Sequence, residues 1–339
     1  MTDRFYDNTR VSAMKRCPRY YYYRHMRDWT PEVTGPALVF GSSWHESMDV
    51  VWRMMGEEKN SDTIEVATEA IKAFNAKWVE EGMLSIEELG PDDMAKLKMR
   101  HPGTAMEMIY NYCDTRKAFL NDPELEIVAI EQPFAVPLDP SDPDLFYVGR
   151  LDKVFRKRGK LFIGEHKTSS LYSKSSGFRS TWIDSFSPNS QVDGYLFAAR
   201  ILYGECEALW IDGALVHANI HDVFKFIPVD RADQQLDAWL WETRYWIDMI
   251  ESNKSAMFDL LSSHADESGN PTDLGALPYM PVFPKNCNSC MDFAGCSYLD
   301  LCKMWPNPVE RDLPLGYKQE HWSPFEVLEL EKIGLKNPS

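Results

Sequence analysis

The chain has 339 residues, 44% of them hydrophobic and 26% charged, which is typical of a globular protein with one large or two smaller domains. Its net charge of −16 argues against a general nucleic-acid binder, although a local basic groove is still compatible with it. The sequence has no apolar run of membrane-spanning length and no apolar signal core at its polar N-terminus, so we expect a cytoplasmic protein without a membrane partner.

Residues 1–120 are expected to form a mainly helical lobe. Residues 9–27 are expected to open with a short helix from Ala13 to Arg16, and hydrophobic periodicity predicts further helices at 41–55, 61–81 and 91–120. Proline interrupts the first of these at Pro18 and the last at Pro102. An apolar stripe runs along the second helix, and His45 lies beside that stripe. A histidine in such a place is more often an ordinary surface or core residue than a ligand.

Residues 121–251 change to the shorter period of β-strands and are expected to form the core. Strands are predicted at 125–136, 146–156, 160–167, 207–216 and 221–227, and helices at 191–203 and 231–250. The serine-rich segment 171–189 is expected to be a loop. Helices followed by strands interleaved with helices indicate an α/β or α+β fold. Residues 252–339 form a third region, which is expected to be irregular over 252–284.

Two of the predicted strands form a hairpin whose register decides the chemistry. A tight turn at Arg158-Gly159 sets the pairing so that Asp152 lies opposite Glu165. Lys167 is two residues beyond Glu165 and therefore shares its face of the sheet. A slip of one residue would place the two carboxylates on opposite faces.

Adjacent carboxylates repel each other unless a cation lies between them or one of them is protonated. Oxygen ligands of this kind favour Mg²⁺ or Mn²⁺, and a nearby lysine can orient a water or stabilise charge on a phosphate. The alternative is an exposed ion pair on an ordinary surface hairpin, which would contribute little to stability.

Four of the seven cysteines lie close together near the C-terminus. Cys287, Cys290 and Cys296 have the short spacing that lets thiolates surround one metal centre. The fourth ligand could be the nearby Cys302 or the distant Cys17. Four thiolates suit Zn²⁺ or an iron–sulfur cluster, and the spacing alone does not separate the two. An odd number of cysteines argues against a disulfide framework.

Two further features allow alternative interpretations. The run Tyr20 to Tyr23 could stack on bases of single-stranded DNA, but packing around the cysteine centre is the preferred interpretation. Glu131, in the strand before the hairpin, has apolar neighbours and is either a further acidic ligand or an edge residue.

Several motifs, in order along the chain, resemble those of the RecB-like nucleases of the PD-(D/E)xK superfamily. The resemblance is to the iron–sulfur branch that includes the AddB nuclease domain and the CRISPR-adaptation exonucleases. It is carried by Cys17-Pro18, Gly41-x3-His45, Gly149-Arg150-Leu151-Asp152, Glu165-His166-Lys167, Gln191-x3-Tyr195 and Cys287-x2-Cys290-x5-Cys296. The family's core is a mixed central sheet flanked by helices, and we expect that core here, with the iron–sulfur segment at its C-terminal side.

The resemblance also implies a site. Asp152, Glu165, His45 and the backbone carbonyl of His166 would bind one or two Mg²⁺ or Mn²⁺ ions. The catalytic residues would be Asp152, Glu165, Lys167, Gln191 and Tyr195. Lys167 would position the attacking water, while Gln191 and Tyr195, one helical turn apart, would orient that lysine and contact DNA. A [4Fe–4S] cluster would be bound by Cys17, Cys287, Cys290 and Cys296, and would be mainly structural.

The implied function is a metal-dependent DNA exonuclease of recombination or repair, with single-stranded ends among its expected substrates. No phosphate-binding Gly-x4-Gly-Lys-Ser/Thr loop is present, so a helicase or recombinase partner would be a separate polypeptide. Two alternatives come from other classes. One is a non-catalytic DNA-binding iron–sulfur module of a repair complex, and the other is a zinc-stabilised endonuclease.

Overall fold

A computed structural model describes residues 4–264, 274, 277–292 and 295–334, so the end of the expected C-terminal tail lies outside the described residues. The strands are β1 (Arg4–Tyr6), β2 (Trp29–Pro31), β3 (Leu125–Pro137), β4 (Leu145–Lys157), β5 (Lys160–Ser169), β6 (Tyr172–Ser173), β7 (Gly177–Phe178), β8 (Ala208–Leu215), β9 (Phe224–Val229) and β10 (Tyr317–Gln319). The α-helices are α1 (Asn8–Arg16), α2 (Pro18–Tyr21), α3 (Pro36–Val51), α4 (Thr63–Glu80), α5 (Pro91–Leu97), α6 (Pro102–Leu120), α7 (Ser180–Asp184), α8 (Ser190–Tyr203), α9 (Asp233–Ser263), α10 (Leu299–Met304) and α11 (Pro324–Val327).

The chain divides into two compact units that do not follow the order of the sequence. The terminal unit comprises residues 1–33, 135–149 and 237–339, and the central unit comprises residues 34–134 and 150–236. The sequence was expected to divide into three consecutive regions instead. In the part of the chain that the structure describes, no helix is both long and apolar enough to cross a membrane.

The central unit is built on a mixed sheet in the order β4-β5-β8-β9, with β3 also paired to β4. The pairs β4–β5 and β8–β9 are antiparallel, whereas β5 and β8 run parallel with α8 as part of the connection between them. In the terminal unit, β1 pairs in parallel with the beginning of β4. The expected mixed sheet with helices is therefore present.

Helices α3, α4 and α6 pack together over one face of this sheet. Their buried stripe includes Trp44, Trp52, Phe74 and Trp78, none more than 1% exposed, and it continues onto Phe155 of β4. Burial of each large aromatic side chain stabilises such a core by roughly 1.5–3 kcal/mol. The apolar periodicity read from the sequence therefore marks the face of the helices that covers the sheet.

Most predicted elements are present with shifted ends. The second helix begins at Pro36 rather than at 41, because proline is well suited to the first helical turn. The 91–120 helix is broken between Leu97 and Pro102, just before the predicted position at Pro102-Gly103, because Pro102 occupies the first turn of α6. Within the predicted loop 171–189, β6, β7 and α7 were missed.

The expectation of irregular structure from residue 252 is wrong over 252–263, because α9 continues to Ser263. Five of the twelve residues in these turns are apolar, and one of them, Met257, is buried at 4% exposure and anchors the turns in the terminal unit. The terminal unit also buries most of the tyrosine run. Tyr21, Tyr22 and Tyr23 are each at most 3% exposed. Their burial favours a packing role over stacking on DNA bases.

Candidate functional site

The hairpin that carries the proposed site has the predicted turn and register. Arg158 and Gly159 have φ values of 51° and 77°, the left-handed conformations that a two-residue hairpin turn requires. Backbone pairing runs from Lys157 opposite Lys160 to Lys153 opposite Gly164. Continuing this register by one residue brings Asp152 opposite Glu165, as the sequence predicts.

Asp152 lies on β4 next to Lys153, where the backbone pairing between β4 and β5 ends. Its Oδ2 accepts a hydrogen bond of 2.9 Å from the backbone N–H of His166, so the side chain serves a donor beyond the last ladder pair. The same oxygen lies 3.1 Å from Nδ1 of His45 on α3. Burial opposes ionisation of Asp152, but His45 and the neighbouring lysines outweigh it and lower the pKa of this carboxyl. Asp152 is thus held as a carboxylate.

Glu165 is 3% exposed and is bonded through only one of its oxygens. Oε1 lies 2.6 Å from Nζ of Lys167, whereas the buried Oε2 has no hydrogen-bond partner among the described residues. Burial and the charge of Asp152 raise the pKa of Glu165. A buried acceptor without a partner beside a second carboxylate is the arrangement that a divalent cation would satisfy, so these residues fit a metal.

His45 approaches this pair from α3. Burial opposes protonation of its imidazole, but the adjacent Asp152 carboxylate outweighs that effect and raises the pKa of His45. Because a metal ligand must be the neutral imidazole, protonation of His45 and binding of a metal would compete.

A buried ion pair that was not predicted from the sequence lies one helical turn after His45. Asp49 on α3 pairs with Nζ of Lys153, which is fully buried on β4. The spacing of four residues between His45 and Asp49 was the available signal, since it places both on one helix face.

His166 points to the opposite face of the sheet from Glu165, as expected. Its ring is 1% exposed, lies near the rings of Trp52 and Tyr112, and has no hydrogen-bond partner among the described residues. Burial and the charge of Lys153 lower its pKa, so the imidazole is neutral. The metal-binding role of its backbone carbonyl stays a prediction.

A second buried pair lies beside His166 on the same face. Asp212 of β8, the strand partner of His166, accepts hydrogen bonds of 2.5 Å from Arg116 and from the Tyr112 hydroxyl, both on α6. These charged groups are less than one-tenth exposed. A polar layer therefore fixes α6 against β8, the strand that pairs with the one carrying Glu165 and Lys167.

Glu131 has an unusual backbone for a strand residue. Its φ of 53° is left-handed, and its carboxylate lies 2.5 Å from Nε of Arg150. Burial and the charges of Asp152 and Asp49 raise the pKa of Glu131 to about 8. The pKa of Glu131 thus depends on the charge of Asp152, and a role for Glu131 as a further acidic ligand stays a prediction.

Gln191 and Tyr195 lie on α8, whose start is capped by Asn189. Nε2 of Gln191 donates to the Tyr195 hydroxyl at 3.2 Å, and the Tyr195 ring packs edge-on against Phe134 at 5.9 Å. The two side chains thus act as one bonded pair, as their spacing predicts. Their contact with Lys167 and with DNA stays a prediction.

The terminal unit collects five cysteines from its two ends. Sγ of Cys17 accepts a hydrogen bond of 3.2 Å from the backbone N–H of Asn286, next to Cys287. One small cavity is lined by Cys17, Cys290, Cys296 and Cys302, and Cys287 neighbours the Cys290 thiol. All seven cysteines of the chain are described, and each is a free thiol.

Cysteine thiolates are the donors that a zinc or iron–sulfur centre requires, so the chemistry of this thiol cluster fits such a centre. Arg16 and Lys285 also line the cavity and can offset the negative charge of the thiolates. The thiols are near one another without a ligating arrangement. Over the residues that the structure describes, no three histidine, cysteine or acidic side chains are grouped closely enough to hold a metal ion.

Comparison with known proteins agrees with the motifs. The family model of the PD-(D/E)XK nuclease superfamily matches residues 8–303. No curated protein sequence matches the chain. Among solved structures, it is similar to a crystal structure from Eubacterium rectale described as a "putative exonuclease", with 15% identity, a TM-score of 0.44, and coverage of 94% of this chain and 91% of the other. Because the family model spans most of the sequence and every site residue described above, the chain belongs to the PD-(D/E)XK nuclease superfamily.

Proposed function

We propose that this protein is a Mg²⁺- or Mn²⁺-dependent deoxyribonuclease that degrades DNA from its ends during recombination or repair. The observation that carries the proposal is the pair Asp152 and Glu165, where a buried oxygen of Glu165 without a partner lies beside an ionised carboxylate. Membership of the nuclease superfamily supports phosphodiester hydrolysis as the reaction.

In this proposal Asp152, Glu165, His45 and the backbone carbonyl of His166 bind the metal. A divalent ion bound there would lower the pKa of a bound water and offset charge on the phosphoryl oxygens. Lys167, which is charged and about one-third exposed, holds Glu165 in place and presents its ammonium to the attacking water and the phosphate.

Gln191 and Tyr195 are assigned to the DNA side of the site. Their side chains are only partly buried on α8, and Gln191 donates one of its two amide hydrogens to Tyr195, so the other can donate to a phosphate oxygen. Cys17, Cys287, Cys290 and Cys296 are assigned to a [4Fe–4S] cluster that joins the two ends of the terminal unit. Such a crosslink would stabilise the fold by restricting a long loop in the unfolded chain.

The decisive experiment is a nuclease assay on end-labelled linear DNA, single- and double-stranded, with and without Mn²⁺. Asp152→Asn is expected to abolish Mn²⁺-dependent degradation, whereas the exposed control Asp233→Asn in the same unit keeps it. Covalently closed circular DNA separates the modes of cleavage, because an exonuclease leaves it intact. Undiminished activity of Asp152→Asn would disprove the assigned site.

Iron and sulfide analysis of anaerobically purified protein tests the cluster independently. The expected result is about four iron atoms and four sulfides per chain. Zinc-loaded, iron-free protein with full activity would contradict the iron–sulfur assignment.

A further inference from the structure

The thiol cluster contains one cysteine more than a four-ligand centre uses. Zinc and [4Fe–4S] centres bind four thiolates, and the family motif accounts for Cys17, Cys287, Cys290 and Cys296. Cys302 is therefore left over. The following inference rests on the proposed thiol-bound centre, but not on nuclease activity.

Cys302 lies with the other thiols of the cluster rather than apart from them. It lines the same cavity as Cys17, Cys290 and Cys296. Cys287, by contrast, is exposed and is not among the described residues that line the cavity. The geometry therefore offers two sets of four thiols, which differ only in Cys287 and Cys302.

The backbone that carries Cys302 is firmly held. The N–H of Cys302 donates to the carbonyl of Tyr298 at 3.0 Å, and the Tyr298 hydroxyl donates to the carbonyl of Trp29 at 2.5 Å. The neighbouring Leu301 is 3% exposed and packs α10 into the unit. The thiol thus faces the cavity because packing fixes its helix.

Cationic groups accompany this thiol. Nζ of Lys285 donates to the backbone carbonyl of Cys302 at 3.2 Å, and the buried Arg19 is anchored to the carbonyl of Phe283 at 3.0 Å. Burial raises the pKa of the Cys302 thiol to about 11, so these cations offset only part of the cost of forming the thiolate that binds metals.

We propose that Cys302 belongs to the metal-binding set and replaces Cys287 as a ligand when Cys287 is removed. In the Cys287→Ser protein, the Cys302 thiol releases its proton to solvent and forms the metal–sulfur bond that Cys287 otherwise makes. The remaining ligands, Cys17, Cys290 and Cys296, are unchanged.

The test compares the wild type, Cys287→Ser, the double variant Cys287→Ser/Cys302→Ser, and the control Cys287→Ser/Cys206→Ser. Cys206 is a buried thiol of the other unit, so the control also removes two thiols. Iron and sulfide per chain are measured after anaerobic reconstitution, and thiolate-to-metal absorbance is measured in Co²⁺ titrations of metal-free protein. Cys287→Ser and the control are expected to keep the centre, and the Cys302 double variant to lose it.

A second measurement uses the single variant and does not depend on the stability of the double variant. Metal-free Cys287→Ser is alkylated with iodoacetamide before and after Co²⁺ is added, and Cys302 is followed by mass spectrometry. Protection of Cys302 by Co²⁺ is expected. Equal alkylation with and without metal, or a Cys287→Ser protein as empty as the double variant, would overturn the inference. Metal content and alkylation of Cys302 can both be interpreted even if the protein has no nuclease activity.

Discussion

Lys167 Nζ lies 2.6 Å from Glu165 Oε1, and the two residues are separated by one position on β5. Alternation along the strand brings both side chains to the same face, with Asp152 as the neighbouring carboxylate. Partial burial opposes the charge of Lys167, but the two carboxylates outweigh it and raise its pKa. One ammonium group therefore faces two carboxylates in the site.

Replacement of Lys167 by Gln is expected to separate metal binding from catalysis. Removal of a positive charge near two carboxylates should leave Mn²⁺ affinity unchanged or increase it, while kcat falls sharply because charge on the phosphate is no longer stabilised. Titration calorimetry with Mn²⁺ and a nuclease assay at saturating metal measure the two effects. The exposed Lys225→Gln is the control. Loss of Mn²⁺ binding in Lys167→Gln would instead indicate a structural role.

The buried pair Asp49–Lys153 should show strong non-additivity. Lys153→Met leaves Asp49 without its cation and is expected to destabilise the fold by roughly 3–5 kcal/mol. The double variant Asp49→Leu/Lys153→Met should recover most of that loss, because neither member of the pair is left charged without its partner. Urea unfolding at neutral pH measures both free energies. Equal destabilisation of the single and double variants would contradict this account.

Tyr195→Phe should reduce activity while the fold is largely kept. The variant removes the hydroxyl that accepts from Gln191 but keeps the ring that packs against Phe134, so the free energy of unfolding should fall by no more than about 0.5–1.5 kcal/mol. Loss of the proposed contact between this hydroxyl and DNA should lower kcat/KM several-fold. A fall in melting temperature with unchanged kcat/KM would assign Tyr195 to the fold rather than to the substrate.

His25 should make the fold sensitive to acid. Its two ring nitrogens are buried without hydrogen-bond partners among the described residues. Burial, followed by the charges of Arg10 and Arg24, lowers the pKa of His25 from 6.5 to about 3. Between these values the unfolded chain binds a proton that the folded chain does not, so stability falls as pH decreases through this window.

His25→Phe is expected to remove that part of the pH dependence while keeping the ring contacts with Tyr21 and Trp322. The measurement is the free energy of unfolding of both proteins at pH 8 and at pH 5. Identical losses of stability on acidification would show that His25 is not responsible.

Short-range features of this protein could be read from its sequence. The turn at Arg158-Gly159 requires left-handed backbone at two adjacent positions, and the apolar alternation on both sides permits one register. Those two local constraints place Asp152 opposite Glu165 and Lys167 beside it. The helices of the lobe were predictable for the same reason, because their periodic apolar stripes need a surface to cover.

Only the tertiary structure could decide which distant groups complete these local patterns. The pairing of Asp49 with Lys153, the left-handed Glu131, and Asp212 beneath His166 depend on helices and strands that meet through packing. Cys302 likewise lines the thiol cavity because α10 is anchored by Leu301 and Tyr298. Spacing along the chain determines the partners within an element, whereas burial of many weak contacts determines which elements meet.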